Sequence, residues 1–198
     1  MSKALIDLIK KNFGAAVLET HSLYGDDTVV VEAAAWREVA RFLRDTPQCS
    51  MDMLTDLTAV DYPEREPRFE IVAHFYSLSR GHRLRLKTRI GDSEGDEAEV
   101  DSLCDFWASA NWMERETFDM FGVIFKNHPD LRRILMYPEF EGHPLRKDYP
   151  ADKIQPLIAY RDVPNIEKIA PFSVDEGMSF GRQTHASSHR DRDDSQVN

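Results

Sequence analysis

Residues 68–90 read RFEIVAHFYSLSRGHRLRLKTRI, and this stretch decides the fold. Apolar residues occupy every second position over 69–75, and the alternation resumes over 84–90 after the turn-forming residues 79–82. A period of two places these apolar side chains on one face of a strand, so the pattern predicts a β-hairpin with one buried face.

The opposite face of the second strand carries a row of basic residues. These are Arg83, Arg85, Lys87 and Arg89. Such a row would bind an acidic partner or a phosphate backbone, or it would form a solvated face whose charges discourage edge-to-edge aggregation. The sequence favours the solvated face.

Helical and strand-like segments flank the hairpin on both sides. Apolar residues recur with helical spacing near the N-terminus (Leu5, Leu8, Ile9) and again over 36–43, and strands are predicted at 16–18, 28–32 and 53–60. Downstream, Leu103, Phe106 and Trp107 predict the start of a helical stretch that breaks near Asn111 and resumes over 112–121. The predicted fold class is α+β, with a mixed or antiparallel sheet and flanking helices.

The distribution of proline divides the chain into three regions. Seven of the ten prolines follow residue 125, at intervals too short for long helices or central strands. We therefore predict a globular α+β domain at 1–126, an extended segment at 127–150 and an extended tail at 151–198, whose end is disordered in the isolated chain. The tail retains apolar residues that a purely solvating tail would rarely carry, which favours a strap laid along another protein.

Composition excludes several classes of protein. Lys and Arg number 25 against 35 Asp and Glu, a net charge of −10, which argues against a dedicated nucleic-acid binder. No apolar stretch approaches the roughly 18 residues that span a bilayer. Asp7, Lys10 and Lys11 interrupt the first apolar stretch, so we expect no secretory signal and contact with the membrane only through partners.

The sequence offers no complete metal site. Cys49 and Cys104, the two cysteines, are far apart, which excludes a disulfide scaffold and a four-cysteine iron–sulfur or zinc site. The acidic stretch from residue 92 lacks the glycine and glutamate of a calcium loop. His185 and His189 have the spacing of zinc ligands, but nothing upstream completes the set. We expect no metal.

Catalytic motifs are nearly absent from the sequence. No GxGxxG or GxxxxGK[ST] motif is present, so we expect that the chain does not itself bind NADH. Residues 177–181, GMSFG, match the GxSxG spacing around Ser179, but that motif requires a preceding strand and a following helix. A free-standing hydrolase that uses Ser179 is the alternative from another class of function.

Residues 112–121 combine charged and apolar side chains more densely than any other segment. Glu114, Arg115, Glu116 and Asp119 lie among aromatic residues and methionines. On a helix, Arg115 would meet Asp119 four residues later. Buried charges must be paired, so the pattern favours equally an internal ion-pair network and a role in docking to a partner.

This segment resembles the signature of the C-subunit family of the proton-translocating NADH:quinone oxidoreductase, bacterial respiratory complex I. The matching residues are Glu114-Arg115-Glu116, Asp119, Met120-Phe121, His128, Arg132 and Ile134-Leu135. The resemblance extends to LTDLTAVDYP at 54–63 and GHPLRKDYP at 142–150, and it covers about residues 50–150.

The resemblance implies a non-catalytic structural component of the peripheral arm, on the cytoplasmic face of the inner membrane. It would dock on the D protein of the complex, which lines the quinone site, beside iron–sulfur subunits. FMN and the iron–sulfur clusters would belong to those partners, and NADH and quinone would be substrates of the complex. The residues it assigns to docking or to the fold are Glu114, Arg115, Glu116, Asp119, His128, Arg132, Arg133, His143, Pro144, Leu145, Arg146, Lys147, Asp148 and Tyr149.

The same signature leaves one further alternative open. It also occurs in the equivalent component of related assemblies, namely membrane-bound hydrogenases and the photosynthetic complex.

Overall fold

The computed structural model describes residues 2–92 and 98–158. The helices are α1 (Ser2–Phe13), α2 (Trp36–Asp45) and α3 (Ala110–Phe121). The strands are β1 (Val17–Leu23), β2 (Asp26–Val31), β3 (Met53–Asp61), β4 (Phe69–Ser77), β5 (His82–Ile90), β6 (Glu99–Asp101) and β7 (Ile124–Lys126).

A five-stranded mixed sheet forms the centre of the fold. Its strand order is β1-β2-β5-β4-β3, in which β2 and β5 run parallel and the other neighbours run antiparallel. The predicted hairpin is confirmed, because Phe69 of β4 pairs with Ile90 of β5 and Ser77 pairs with His82. Strands β6 and β7 form a separate parallel pair. The α+β fold class predicted from the sequence is confirmed.

The apolar residues predicted to face inward form a single core. The alternating residues of β4 and β5 are buried, Phe69 and Leu86 completely. They pack with Ile9 of α1 and with the apolar face of α2, on which Trp36 and Leu43 are also completely buried. Period-two and helical patterns therefore identify the core correctly.

The basic row on β5 has internal partners. Since β5 is the central strand, its charges protect no edge, and that interpretation is wrong. Lys87 and Arg89 both contact Glu70 of β4, Arg89 also contacts Glu19, and Arg85 lies 3.5 Å from a carboxylate oxygen of Asp26. Three of the four basic side chains thus neutralise acids from neighbouring strands. Arg83 is exposed.

Helix α3 begins later than predicted, at Ala110. Residues 103–109 form turns without a regular helix. In this stretch the Trp107 indole N–H donates to the Met51 carbonyl and the Ser109 hydroxyl donates to the Leu54 carbonyl, which ties the turns to the start of β3. The predicted break near Asn111 is also wrong, since α3 is continuous through that residue.

The C-terminal end of α3 is set by Gly122. This glycine has φ +78° and donates its N–H to the Phe118 carbonyl, the left-handed ending in which glycine is favoured. The chain leaves the helix at this glycine, and Phe125 lies on β7. Along its length α3 covers the outer edge of β3, where the Thr117 hydroxyl contacts the Leu57 carbonyl at 3.4 Å.

Residues 127–150 contain turns and bends without a helix or strand, and they are called the docking segment below after the role that the family resemblance implies. The predicted tail beyond residue 158, with Ser179, His185 and His189, lies outside the described residues. Within 2–92 and 98–158, no helix has the length and apolar character needed to cross a bilayer.

Candidate functional site

Asp119 fixes the middle of the docking segment. Its Oδ2 accepts three consecutive backbone N–H groups, from Ile134 at 3.1 Å and from Leu135 and Met136 at 2.8 Å each. Its Oδ1 accepts from Arg133 Nη1 at 2.8 Å. Burial alone raises the pKa of this carboxyl, but the four donors outweigh it and hold the pKa below its usual value.

Arg115 binds the same segment instead of Asp119. Its Nε donates to the Arg132 carbonyl at 3.0 Å and its Nη2 donates to the Arg133 carbonyl at 3.1 Å. The predicted pair between Arg115 and Asp119 is therefore wrong. Both side chains point from α3 to one stretch of backbone, where they satisfy carbonyl and N–H groups that belong to no regular element.

Glu114 points in another direction, into the core. It is completely buried and accepts hydrogen bonds from the Ser102 hydroxyl at 2.6 Å and the Leu103 N–H at 2.7 Å, with the Cys104 thiol at 3.4 Å. Burial raises the pKa of Glu114 above its usual value despite these donors. Glu116 is exposed, and it has no hydrogen bond or ion pair within the described residues.

The last carbonyls of α3 are capped by the C-terminal part of the docking segment. The ring of His143 donates through Nδ1 to the Asp119 carbonyl at 3.0 Å, and the Leu145 N–H donates to the Met120 carbonyl. Arg146 Nε donates to the Phe121 carbonyl at 2.6 Å. Helix ends leave such carbonyls without partners, so residues 143–146 complete the helix as well as contacting it.

Gly122 makes this close approach possible. A Cβ atom at this position would lie 2.6 Å from Arg146 Nη2 and 2.7 Å from the His143 ring. The neighbouring guanidinium of Arg146 also lies over the Phe69 ring, 5.2 Å from its centre. Burial lowers the pKa of His143 against the opposing effect of the Asp119 carbonyl, and Arg146 adds to this lowering, which favours the neutral ring at neutral pH.

A second buried carboxylate, Asp61, holds the end of the docking segment. Arg68 donates two hydrogen bonds to Asp61, and its Nη1 reaches Asp148 Oδ2 at 3.1 Å. The Lys147 N–H donates to Asp61 Oδ2 at 2.8 Å. These contacts join the two stretches outside the signature that carry the family resemblance, 54–63 and 142–150.

Several apolar side chains on the anchored segment remain exposed. Leu135 is 57% exposed and Leu145 is 51% exposed, and Tyr137 also faces solvent. Trp112, at the start of α3, is exposed as well and lies beside Arg115, whose guanidinium carbon is 5.9 Å from the ring centre. Large exposed apolar side chains on a fixed backbone are typical of interfaces.

The remaining assigned residues lie at the two ends of the segment. Arg132 is exposed and pairs with Asp130 at 2.9 Å. Tyr149 stacks on Phe140 with ring centres 6.1 Å apart, and Pro144 is half-buried.

Sequence reasoning misses two groups of residues. It does not single out Asp61 and Arg68, although Asp61 stands in the matching stretch 54–63. It finds no partner for Cys104, yet the thiol lies near Glu114 and His128, and ligand-type atoms of the three lie within 4.8 Å of one another. Their sequence separations match no familiar metal motif, so only the fold brings them together.

Comparison with known proteins identifies the family. Residues 29–155 match the family model described as the 30 Kd subunit of the respiratory-chain NADH dehydrogenase. The C subunit of NADH-quinone oxidoreductase from Geotalea uraniireducens is 44% identical over 149 residues, which are 75% of this chain and 87% of that protein. The protein of the same name from Rhodobacter capsulatus is 40% identical over 174 residues, 82% of this chain and 85% of that one.

Two solved structures share the fold. A trypsin-resistant fragment of Nqo5 has a TM-score of 0.55 and 25% identity, and the match covers 66% of this chain and all of the fragment. A chain of the membrane-bound sulfane sulfur reductase, an archaeal respiratory membrane complex, has a TM-score of 0.63 and 27% identity over 75% of this chain and 85% of its own length. This chain therefore belongs to the 30 kDa subunit family of the respiratory-chain NADH dehydrogenase, as its signature indicated.

Proposed function

We propose that this chain is a non-catalytic structural component of the peripheral arm of respiratory complex I. It docks on the D protein of the complex, called the quinone-site protein below, beside the iron–sulfur subunits and on the cytoplasmic face of the inner membrane. The complex transfers electrons from NADH to quinone and couples this to proton translocation. FMN and the iron–sulfur clusters belong to the partner subunits.

The observation that carries this proposal is the double anchoring of the docking segment. Asp119 and Asp61 each collect backbone N–H groups from it, at 134–136 and at 147. The segment is therefore held in one conformation without any helix or strand of its own. A docking element ordered in advance loses less conformational entropy on binding, which strengthens association.

The chemistry of the charged residues supports a structural role over catalysis. The pKa of Asp119 is lowered, as described above. Burial raises the pKa of Asp61, but Arg68 and the Lys147 N–H outweigh burial and lower it. Both carboxylates therefore stay ionised. Their oxygens already accept strong hydrogen bonds. A carboxylate in this state is a weak base with little capacity left for a substrate proton.

The apolar side chains exposed on this segment supply the contact surface. The backbone N–H of Leu135 donates to Asp119, and that of Leu145 donates to the Met120 carbonyl of α3. The positions of both exposed leucines are therefore defined before any partner arrives. Burial of such side chains at an interface provides most of the favourable free energy of docking.

The relatives favour the NADH-linked complex over the related assemblies. The sulfane sulfur reductase chain shares the fold at 27% identity, whereas the two NADH-quinone oxidoreductase proteins are 40% and 44% identical to this chain. We therefore retain NADH:quinone oxidoreductase as the assembly.

The test is affinity isolation of the tagged chain from solubilised membranes, with mass spectrometry and an NADH:quinone activity assay. Leu145→Asp places a charge in the proposed interface, and Leu78→Asp places the same charge at a leucine that is 68% exposed on the β4–β5 turn. We expect wild type and Leu78→Asp to recover the quinone-site protein and activity. Leu145→Asp should lower both by about tenfold or more.

Two results would count against the proposal. Equal recovery of the quinone-site protein with Leu145→Asp and with Leu78→Asp would show that the docking segment is not part of the interface. Elution of the wild-type chain alone from the soluble fraction would argue against assembly altogether.

A further inference from the structure

Three side chains from separate parts of the chain lie close together at α3. Cys104 lies in the turn after β6, Glu114 lies on α3 and His128 lies just after β7. One ligand-type atom from each lies within 4.8 Å of the other two, and Cys104 Sγ is 3.4 Å from Glu114 Oε2. Thiolate, carboxylate and imidazole are the ligands that Zn²⁺ uses in proteins.

Glu114 supplies a second, independent reason to look for a cation. It is completely buried, and within the described residues no Lys, Arg or His forms an ion pair with it. The guanidinium among its electrostatic neighbours, that of Arg37, is directed to the Ser102 carbonyl and to Asp105. A buried carboxylate without a counter-cation is unfavourable, and a divalent ion would supply the missing positive charge.

We propose that Cys104, Glu114 and His128 bind one Zn²⁺ ion, with water as the fourth ligand. Zinc bonds of about 2.0–2.3 Å place the ligand atoms of a tetrahedral site roughly 3.3–3.8 Å apart. The separation of Cys104 Sγ and Glu114 Oε2 already falls in this range. Cys104 and His128 are half-buried, so water reaches the open position.

The hydrogen bonds of His128 indicate which ring nitrogen the metal takes. Nδ1 accepts from the Asp130 N–H at 3.0 Å, so Nε2 carries the proton and donates to the Asn111 carbonyl at 3.2 Å. Coordination through Nδ1 keeps the bond to Asn111, which orients the ring as a carbonyl partner does in zinc sites. The single lone pair of Nδ1 then binds the ion in place of the Asp130 N–H, so the backbone at the exposed residue Asp130 must shift and its N–H must bond to water.

Binding releases a proton from the thiol. The Cys104 Sγ–H proton passes to solvent as the Zn–S bond forms, and any proton held by Glu114 leaves with it. Because zinc displaces this proton, the affinity for zinc rises with pH. The bound ion would tie the turn after β6 to α3 and to the start of the docking segment, a structural role outside the electron-transfer reaction.

The test is a Co²⁺ titration of the full chain after removal of metals with a chelator, followed by Zn²⁺ competition. We expect one equivalent of Co²⁺ to produce a thiolate-to-cobalt charge-transfer band that Zn²⁺ abolishes. Cys104→Ser should remove the band, and His128→Gln should weaken binding by about tenfold or more. The matched control is Cys49→Ala, which removes the other cysteine and should leave the titration unchanged.

The outcomes separate this site from the proposed function. No charge-transfer band in the wild-type chain, or a band that persists in Cys104→Ser, overturns the site. If His128→Gln binds Co²⁺ as tightly as the wild-type chain, the metal is an adventitious ion only, and the proposed site is wrong. If Cys104→Ser does not fold, as judged by circular dichroism, the wild-type band and His128→Gln decide the matter. None of these measurements depends on assembly with other proteins.

Discussion

The guanidinium of Arg68 holds the carboxylate of Asp61 through two hydrogen bonds, Nε to Oδ1 at 2.7 Å and Nη2 to Oδ2 at 2.9 Å. The Arg68 side chain is 3% exposed and that of Asp61 is not exposed at all. The same two residues bind Asp148 and the Lys147 N–H. One buried ion pair thus joins the end of β3, the start of β4 and the end of the docking segment.

Arg68→Ala should destabilise the fold strongly. Removal of the guanidinium takes the paired charge and both of its hydrogen bonds from the buried Asp61 carboxylate, a loss that costs about 3–5 kcal/mol. Arg41→Ala is the matched control, because Arg41 forms an exposed pair with Asp45 and its loss should change the free energy of unfolding by less than about 1 kcal/mol. Urea denaturation measures the free energy of unfolding of both variants. Equal decreases would contradict the claim that the buried Arg68–Asp61 pair stabilises the fold more than the exposed Arg41–Asp45 pair.

Asp119→Asn should release the docking segment. The neutral amide loses the charge-assisted bond from Arg133 and presents N–H groups to backbone donors, a loss of about 2–3 kcal/mol. Opening of the segment exposes Arg132 and Arg133 to trypsin, and a local loss of about 1.4 kcal/mol raises the cleavage rate about tenfold. Asp130→Asn, which removes only an exposed partner of Arg132, should leave cleavage nearly unchanged.

Local patterns in the sequence predict the elements better than their arrangement. The period of two over 69–90 identifies β4 and β5, and the helical spacing over 36–43 identifies α2. No local pattern places β5 at the centre of the sheet, because its parallel pairing with β2 joins residues far apart in the chain, such as Thr28 and Arg85. Sequence reasoning therefore assigns the basic row to solvent, although its partners lie on β1, β2 and β4.

The candidate site illustrates the same limit at the level of single residues. Helical spacing correctly places Arg115 and Asp119 one turn apart, but it does not reveal that another segment competes for both. Three backbone N–H groups from 134–136 and the Arg133 guanidinium occupy the oxygens of Asp119 that Arg115 would otherwise bind. The grouping of Cys104 with His128 depends on the path of the chain through α3, which spacing does not encode.

Gly122→Ala should disrupt the contact between α3 and the docking segment. A positive φ costs a non-glycine residue about 1–2 kcal/mol, and the new methyl group would press against Arg146 and His143, which adds about 1–3 kcal/mol. Gly81→Ala is the control, because Gly81 has φ +64° but open space around its Cβ position, so only the strain applies. A difference near zero between the two variants in thermal or urea unfolding would mean that residues 143–146 do not pack against Gly122.

His143 should make the stability of the chain fall as the pH is lowered below neutral. Burial, with a contribution from Arg146 and Arg133, lowers the pKa of His143 in the folded state below its ordinary value of 6.5. Below neutral pH the unfolded chain therefore binds more protons than the folded chain, so the free energy of unfolding rises with pH. The stability that the neutral His143 ring contributes is lost as the pH falls through its pKa in the folded chain. His74, whose pKa burial also lowers, acts in the same direction, and the raised pKa of Glu114 acts in the opposite one.

The difference between wild type and His143→Asn is therefore the quantity to measure, by urea denaturation at several pH values. An asparagine N–H replaces the donor to the Asp119 carbonyl and does not titrate. The variant should show a smaller decrease in stability from pH 7 to pH 5 than wild type, while His74→Asn removes an independent share of the same slope. Parallel curves for wild type and His143→Asn would show that the ring protonates as readily in the folded chain as in the unfolded one, and would place His143 in contact with water instead of against α3.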